Sequence, residues 1–224
     1  IGIDGEVVYS HFGEGAYPET EREIRAALEQ AGWNVSNIPL GTAEPERDPL
    51  AQGLTRELYG GYERNYHSRG LYATQVEYYD GPDREVFYED IDVSAEERNH
   101  NQWYVQGLWR NEREAVVHAR RTESLEDYLA LRFVARSVNV VLQPPLAEPF
   151  EVVIEIDGRP LLPEEAGEDV VFDDDGRSII VVDEARVYAI VELPAWSDHE
   201  LRLRSNSDNF AIFAFTFGNY LEGS

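Results

Sequence analysis

Five histidines, at His11, His67, His100, His118 and His199, are the side chains here best suited to proton transfer near neutral pH. Their spacing fits no zinc-type ligand pattern. His118 sits in the apolar run Ala115-Val116-Val117-His118-Ala119, either as a catalytic base or as a strand histidine hydrogen-bonded locally. No Ser, Cys or Asp partner is suggested close by in sequence, which favours the local bond. The run Asp173-Asp174-Asp175-Gly176 invites calcium, because hard cations take clustered carboxylates. It lacks the spacing of a helix-loop-helix calcium loop, so a solvated acidic turn is the plainer reading, and calcium at Asp173–Asp175 stays open. Cysteine is absent from all 224 residues, which removes disulfides, thiolate metal sites and catalytic thiols together. No Gly-rich phosphate loop, no Gly-x-Ser-x-Gly elbow and no carboxylate pair stands out from the 44 acidic residues. The sequence therefore assigns no catalytic residue, no metal and no cofactor.

Aromatic side chains offer a different chemistry. Tyr59, Tyr62, Tyr66, Tyr72, Tyr78 and Tyr79 crowd one stretch, and Trp103 and Trp109 lie six residues apart in a strand-like run. In an element of period two, the tryptophans share a face. Turned to solvent, such rings would stack on the C–H faces of sugars; turned inward, they are core. The candidate sugar-binding residues are Trp103, Trp109, Tyr62, Tyr66 and Arg110.

Charge narrows the partners. Forty-four acidic against 19 basic residues give a formal net charge of -25, and every basic residue is arginine. Such a surface repels nucleic acid and anionic membranes, leaving a neutral glycan or another protein as partner. Dense carboxylates without lysine fit a salt-adapted surface; GC-rich codon bias with ordinary acidity is the alternative. No apolar run approaches the roughly 18 residues of a membrane span, so no direct membrane contact is expected from this segment. The first residues lack the features of a signal peptide, so an export signal would lie upstream or be absent.

Ile3 to Phe12 alternates as two short strands around Asp4-Gly5, a hairpin dipeptide. After Gly13-Glu14-Gly15, Thr20 and Glu23 form a capping box for a helix with Ile24, Ala27, Leu28 and Ala31 on one face, ending at Gly32. This ββα unit is too small to bury its own apolar stripe and needs something to dock on. Residues 33–56, rich in Pro and Gly, read as linker. Strands then follow one another: Leu71–Tyr79, Arg84–Ile91, Gln102–Trp109, Ala115–Arg121, Tyr128–Ala135, Val138–Leu142, Phe150–Ile156, Ser178–Val182, Val187–Leu193, His199–Arg204 and Phe210–Phe217. Hairpin signals recur at Asp80-Gly81, Asp157-Gly158 and Asp175-Gly176, and Ser94–Arg98 and Leu125–Tyr128 hint at helical turns. The fold class predicted is mainly β, a jelly-roll-like antiparallel sandwich over 57–218 with a tail at 219–224.

Two regions resemble a known family. Residues Asp4 to Tyr17 (Asp-Gly-Glu-Val-Val-Tyr-Ser-His-Phe-Gly-Glu-Gly-Ala-Tyr), with Thr20-Glu21 and Ile24-Arg25, look like the closing strands and last helix of a thioredoxin-like domain of the DipZ type. Thr55 to Arg64, the tryptophan strand Trp103-x-Val105-x-Gly107-x-Trp109, Val153 to Gly158 and Ala214 to Gly218 resemble the carbohydrate-binding-module-like jelly roll that follows it. Arg56 stands where that family has proline. The resemblance implies that residues 1–32 are the end of a redoxin domain whose Cys-x-x-Cys would lie upstream of Ile1. It also implies an extracytoplasmic location, with this segment as a non-catalytic binding or positioning region. A structural or protein-interaction module is the alternative.

With a charge of -25, compaction works against self-repulsion that salt screens. The melting temperature is therefore expected to rise as sodium chloride goes from millimolar to molar; a flat or falling curve leaves codon bias as the explanation.

Overall fold

The computed structural model describes residues 1–10, 17–41, 53–67, 70–71, 82–89, 98–146 and 148–219, with backbone only at 66–67 and 70–71. These residues fall into two compact units, one within Ile1–Arg47 and one within Asp48–Tyr220. His11, Gly13-Glu14-Gly15, most of the strand expected over Leu71–Tyr79, the Asp80-Gly81 turn and most of Ser94–Arg98 lie outside the described residues.

In the first unit, α1 spans Tyr17–Gln30. It begins three residues before the expected Thr20 cap. Pro18 is tolerated in its first turn, where no intrahelical acceptor exists for the missing N–H. Gly32, at φ +88, ends it as expected, with the Trp33 N–H returning to the Leu28 carbonyl at 3.0 Å. Arg25 holds Glu21 at 2.7 Å and reaches the carbonyls of Val35 and Pro39, drawing the following segment back to the helix. The apolar stripe Ile24, Ala27, Leu28 and Ala31 lines a groove of about 440 Å³ with Ile1, Ile3, Val8 and Tyr9. The Asp4-Gly5 turn forms, with Gly5 at φ +83 and Gly2 N–H on the Glu6 carbonyl. The strands expected on either side do not form within residues 1–10. A two-stranded hairpin without a third strand is marginal, which accounts for the difference.

The second unit is mainly β. Its strands are β1 (Leu58–Tyr59), β2 (Tyr66–His67), β3 (Gly70–Leu71), β4 (Glu85–Tyr88), β5 (Trp103–Asn111), β6 (Val116–His118), β7 (Tyr128–Gln143), β8 (Phe150–Ile156), β9 (Arg159–Pro160), β10 (Val171–Phe172), β11 (Ser178–Val182), β12 (Arg186–Arg204) and β13 (Ala211–Gly218). A helical turn α2 (Tyr62–Asn65) and a 3-10 turn, Pro163–Glu165, complete it. All but β2 and β3 join one antiparallel sheet in the order β1-β13-β6-β5-β7-β12-β8-β11-β10, with β4 on β5 and β9 on β8.

The two long strands turn this sheet into a sandwich. β7 pairs with β12 along nearly its whole length, while β5 takes its first half and β13 its second. Inward positions on β7 are Leu129, Leu131, Phe133 and Ala135, then Val138, Val140 and Leu142. The alternation changes phase at Arg136-Ser137, opposite the excursion of β12 between Glu192 and Ser197. A one-residue slip exchanges the two faces of a strand, so both halves of β7 keep apolar residues inward. The sequence pattern predicts each long strand as two separate ones.

Asp157-Gly158 turns β8 into β9 with φ values of +49 and +74, and Gly176 at φ +77 turns β10 into β11. Both are the expected hairpins. Leu125–Tyr128 is not a helical turn: Leu125 has φ +57, and its N–H is held by Asn206 Oδ1 at 2.9 Å. Gly107 lies within β5 at φ +101, where a Cβ would lie 2.0 Å from Asp127 Cγ. Gly107→Ala should therefore cost roughly 2–4 kcal/mol of stability, from a strained φ plus a displaced buried carboxylate. Urea denaturation measures it, and a loss under about 1 kcal/mol would contradict this account.

Candidate functional site

Trp103 and Trp109 do share a face, and that face is the core: each is 1% exposed. Trp103 Nε1 donates to the Tyr59 carbonyl at 3.2 Å, and Trp109 Nε1 to the Gln106 carbonyl at 2.7 Å. Trp109 packs on the His118 ring at 5.1 Å and edge-on to Phe210 at 5.9 Å. A ring so enclosed cannot offer its face to a sugar, so these two positions are corrected from stacking platform to packing. Arg110 is committed to carboxylates, with Nη1 3.0 Å from Glu85 and Nε 2.7 Å from Glu112. Tyr62 is half-buried on α2, with its N–H on the Glu112 carbonyl at 3.0 Å. Tyr66 starts β2, and its side chain lies outside the described residues. Among the described side chains, Trp103, Trp109 and Arg110 offer no stacking surface.

His118 is fully hydrogen-bonded, but its partners lie nine and 89 residues away, so the bonds are not the local ones the sequence suggests. One ring nitrogen meets the Ser207 carbonyl at 2.7 Å and the other meets Asp127 Oδ2 at 2.9 Å, with the imidazole fully buried. Asp127, nine residues on, is a partner that sequence proximity left unseen. Arg120 grips the same carboxylate through Nε on Oδ2 and Nη2 on Oδ1, at 2.6 and 2.5 Å. Burial pushes the Asp127 carboxyl up, but the hydrogen bonds from Arg120 and His118 outweigh it and hold the group below its ordinary value. No position is left for a substrate. Asp173 is likewise closed, bonding the Arg177 side chain at 2.6 Å and its N–H at 2.8 Å. Among the described residues no three His, Asp or Glu side chains converge as metal ligands would.

An open cleft of about 500 Å³ offers more. Leu125, Pro149, Phe150 and Val153 form its apolar part; Arg121, Glu148, Glu151, Arg177 and Ser205–Ser207 form its polar part. The loop after β13's neighbour β6 brings Arg121, which pairs with Asp208 at 2.9 Å. Ser205 Oγ donates to the Glu151 carbonyl at 2.7 Å and accepts the Ser207 N–H, fixing the loop before β13 against β8. Asn206 Oδ1 accepts from Thr122 Oγ1 at 2.8 Å and from the Leu125 N–H. Two arginines and two glutamates around an apolar floor suit an uncharged polar molecule better than an ion. None of these residues is adjacent in sequence to the aromatic clusters, and no spacing signals their convergence.

A second cluster lies where β9 meets the 3-10 turn. Glu165 receives Arg159 in a two-point bond at 2.7 and 2.8 Å and the Leu162 N–H at 2.8 Å. Those bonds, the arginine's first, lower its carboxyl from 4.5 to about 2 against the opposing effect of burial. A folded-state value below the unfolded one stabilises the fold above the unfolded value, and the gain is lost as pH falls from about 4.5 toward about 2. Glu165→Gln should therefore lower the urea midpoint at pH 6 and match the parent protein near pH 2. An unchanged difference between the two pH values would show that the pair contributes nothing through ionisation.

No curated protein matches the chain. A family model described as the thioredoxin like C-terminal domain matches residues 55–218. Its first residue, Thr55, is also where the chain joins the sandwich, exchanging bonds with Val134 through its N–H and its Oγ1. The matched span runs through β13 and takes in every strand of the large sheet. The chain belongs to the thioredoxin-like C-terminal domain family.

Proposed function

We propose that this chain is the binding or positioning region of an extracytoplasmic thiol–disulfide oxidoreductase of the DipZ type, and that it takes no catalytic part in thiol exchange. The observation that carries the reading is the family match over residues 55–218 in a chain with no cysteine. Exchange needs a thiolate nucleophile, so that step belongs to a thioredoxin-like domain working beside this one. The sandwich, on this reading a carbohydrate-binding-module-like jelly roll, holds the dithiol near its targets.

The ligand we assign is a neutral glycan in the cleft floored by Phe150 and Val153. A charge of -25 disfavours uronates and sulfated chains, whereas sugar hydroxyls can meet Arg121, Asn206 and the glutamates around it. A second reading, a protein-interaction module, is favoured by the edge strand β10, where Val171 is 52% and Phe172 41% exposed. An exposed apolar edge strand is a template for a partner strand.

Calorimetry on ligands chosen from a glycan array separates the two. Neutral glycans should bind with Kd on the order of millimolar to micromolar, and Arg121→Ala should weaken binding while leaving the melting temperature alone. Absence of any neutral glycan ligand would remove the first reading in favour of protein contacts.

A further inference from the structure

Where β12 leaves its ladder with β7, between Glu192 and Ser197, the chain sets three side chains in line. Ser197 Oγ lies 2.8 Å from His199 Nε2, and His199 Nδ1 lies 2.6 Å from Asp157 Oδ2. The serine and histidine are two residues apart on one strand, so they project from the same face. The aspartate comes from elsewhere, the Asp157-Gly158 turn between β8 and β9, and is held hard. Its N–H donates to the Glu200 carbonyl and its Oδ1 accepts the Glu200 N–H, both at 2.9 Å. The imidazole packs across the ladder from the buried Phe133, ring centroids 6.0 Å apart.

We infer that Ser197, His199 and Asp157 form an acyl-transfer site for short esters of neutral alcohols. The carboxylate contact sets the tautomer of this reading. An ionised Asp157 can only accept, so Nδ1 carries the proton and Nε2 is left as the base toward the serine hydroxyl. Ser197 Oγ attacks the ester carbonyl carbon while its proton passes to Nε2. The tetrahedral adduct collapses, the C–O bond to the leaving alcohol breaks, and the alcohol takes the proton from Nε2. Water then gives a proton to Nε2 as its oxygen attacks the acyl-serine. Serine is released with that proton restored, and the acyl group leaves as a carboxylic acid. No oxidant, metal or cofactor enters the balance.

The surroundings set the substrate class. Asp198, beside the serine, is neutralised by Arg132 at 2.6 Å and faces His100 at 3.5 Å; Glu165, also near, is neutralised by Arg159. The net charge of -25 repels an anionic substrate. Ser197 is half-buried at a strand irregularity, which suits a short acyl group such as acetyl.

The whole chain is treated with a fluorophosphonate probe, and the adduct is mapped by mass spectrometry, alongside turnover of p-nitrophenyl acetate. A single adduct on Ser197 is expected, absent in Ser197→Ala. His199→Ala should slow both labelling and turnover at least tenfold, as loss of a positioned base does. Asp157→Asn tests the orienting role, because asparagine tolerates the left-handed turn (φ +49) but does not supply the carboxylate. It should slow labelling with its melting temperature unchanged. No adduct on the folded protein, an adduct on another serine, or equal labelling in His199→Ala overturns the proposal and leaves the three residues as a clip for the turn.

Discussion

The pairing of β7 with β12 is the constraint on which the other elements depend. Both strands are long enough to serve two halves of the sheet, and a long flat strand pair cannot enclose a core on one side at both ends. The slip between Glu192/Ser137 and Ser197/Ala135 resolves this by exchanging which residues face inward. Phe133 and Ala135 are inward on one side of it, Val138 and Val140 on the other, all at 0% exposure. β5 and β8 attach to the first half and β13 to the second, so the core cluster is continuous through the slip.

An acidic excess has to be reconciled with that core, and arginine does so. Arg98 and Glu200 are buried at 3% and 5% exposure and bond at 2.7 Å, with Arg202 completing the carboxylate at 2.7 Å. Such a buried pair is weak evidence for stability, since desolvation offsets most of its attraction. Its geometric demand is the firmer consequence. The Glu200 carbonyl also accepts the Asp157 N–H and its N–H donates to Asp157 Oδ1, so the ion pair, the β8–β9 turn and β12 have one mutual arrangement. Asp127 acts in the same way at the other end, joining His118, Arg120 and the Leu108 N–H under the gap left by Gly107. A planar fork with several donors can satisfy both oxygens of one carboxylate, which a lysine cannot.

Much of this architecture was legible, and its failures have a common cause. Phe150–Ile156 and Ser178–Val182 match expectation to the residue because each is an apolar run closed by an Asp-Gly turn or followed by acidic residues. β7 and β12 read as two strands each because alternation breaks at Arg136-Ser137 and again at Pro194–Trp196. A broken period looks the same whether the strand ends or bulges; only the partner strand distinguishes them. The two-residue strands β1, β9 and β10 carry too few residues for any period. For the site, spacing placed Trp103 and Trp109 on one side but held no information on which side was core. Phe150 and Asn206 meet across 56 positions in the cleft, a proximity made by the pairing of β8 with the end of β12, Val153 opposite Arg204, and by no local pattern.

The same slip that closes the core also explains where polar chemistry collects. Between Leu193 and Ser197 the chain is out of register with β7, so its side chains are released from strict inward and outward alternation. Ser197, Asp198 and His199 follow immediately: Ser197 bonds His199 on the same strand, His199 takes Asp157 from the β8–β9 turn, and Asp198 takes Arg132 from β7 and faces His100 from before β5. A strand in perfect register there would have alternated apolar and solvated residues and brought no such group together. The rigid parts around it, Phe133 at the core and Glu200 in its buried ion pair, hold the cluster from two sides. A domain without a thiol thus gathers one of its ordered polar clusters where the sheet breaks register, a second lying at Asp127, His118 and Arg120. That is a structural necessity first, and it leaves an oriented serine, imidazole and carboxylate as its consequence.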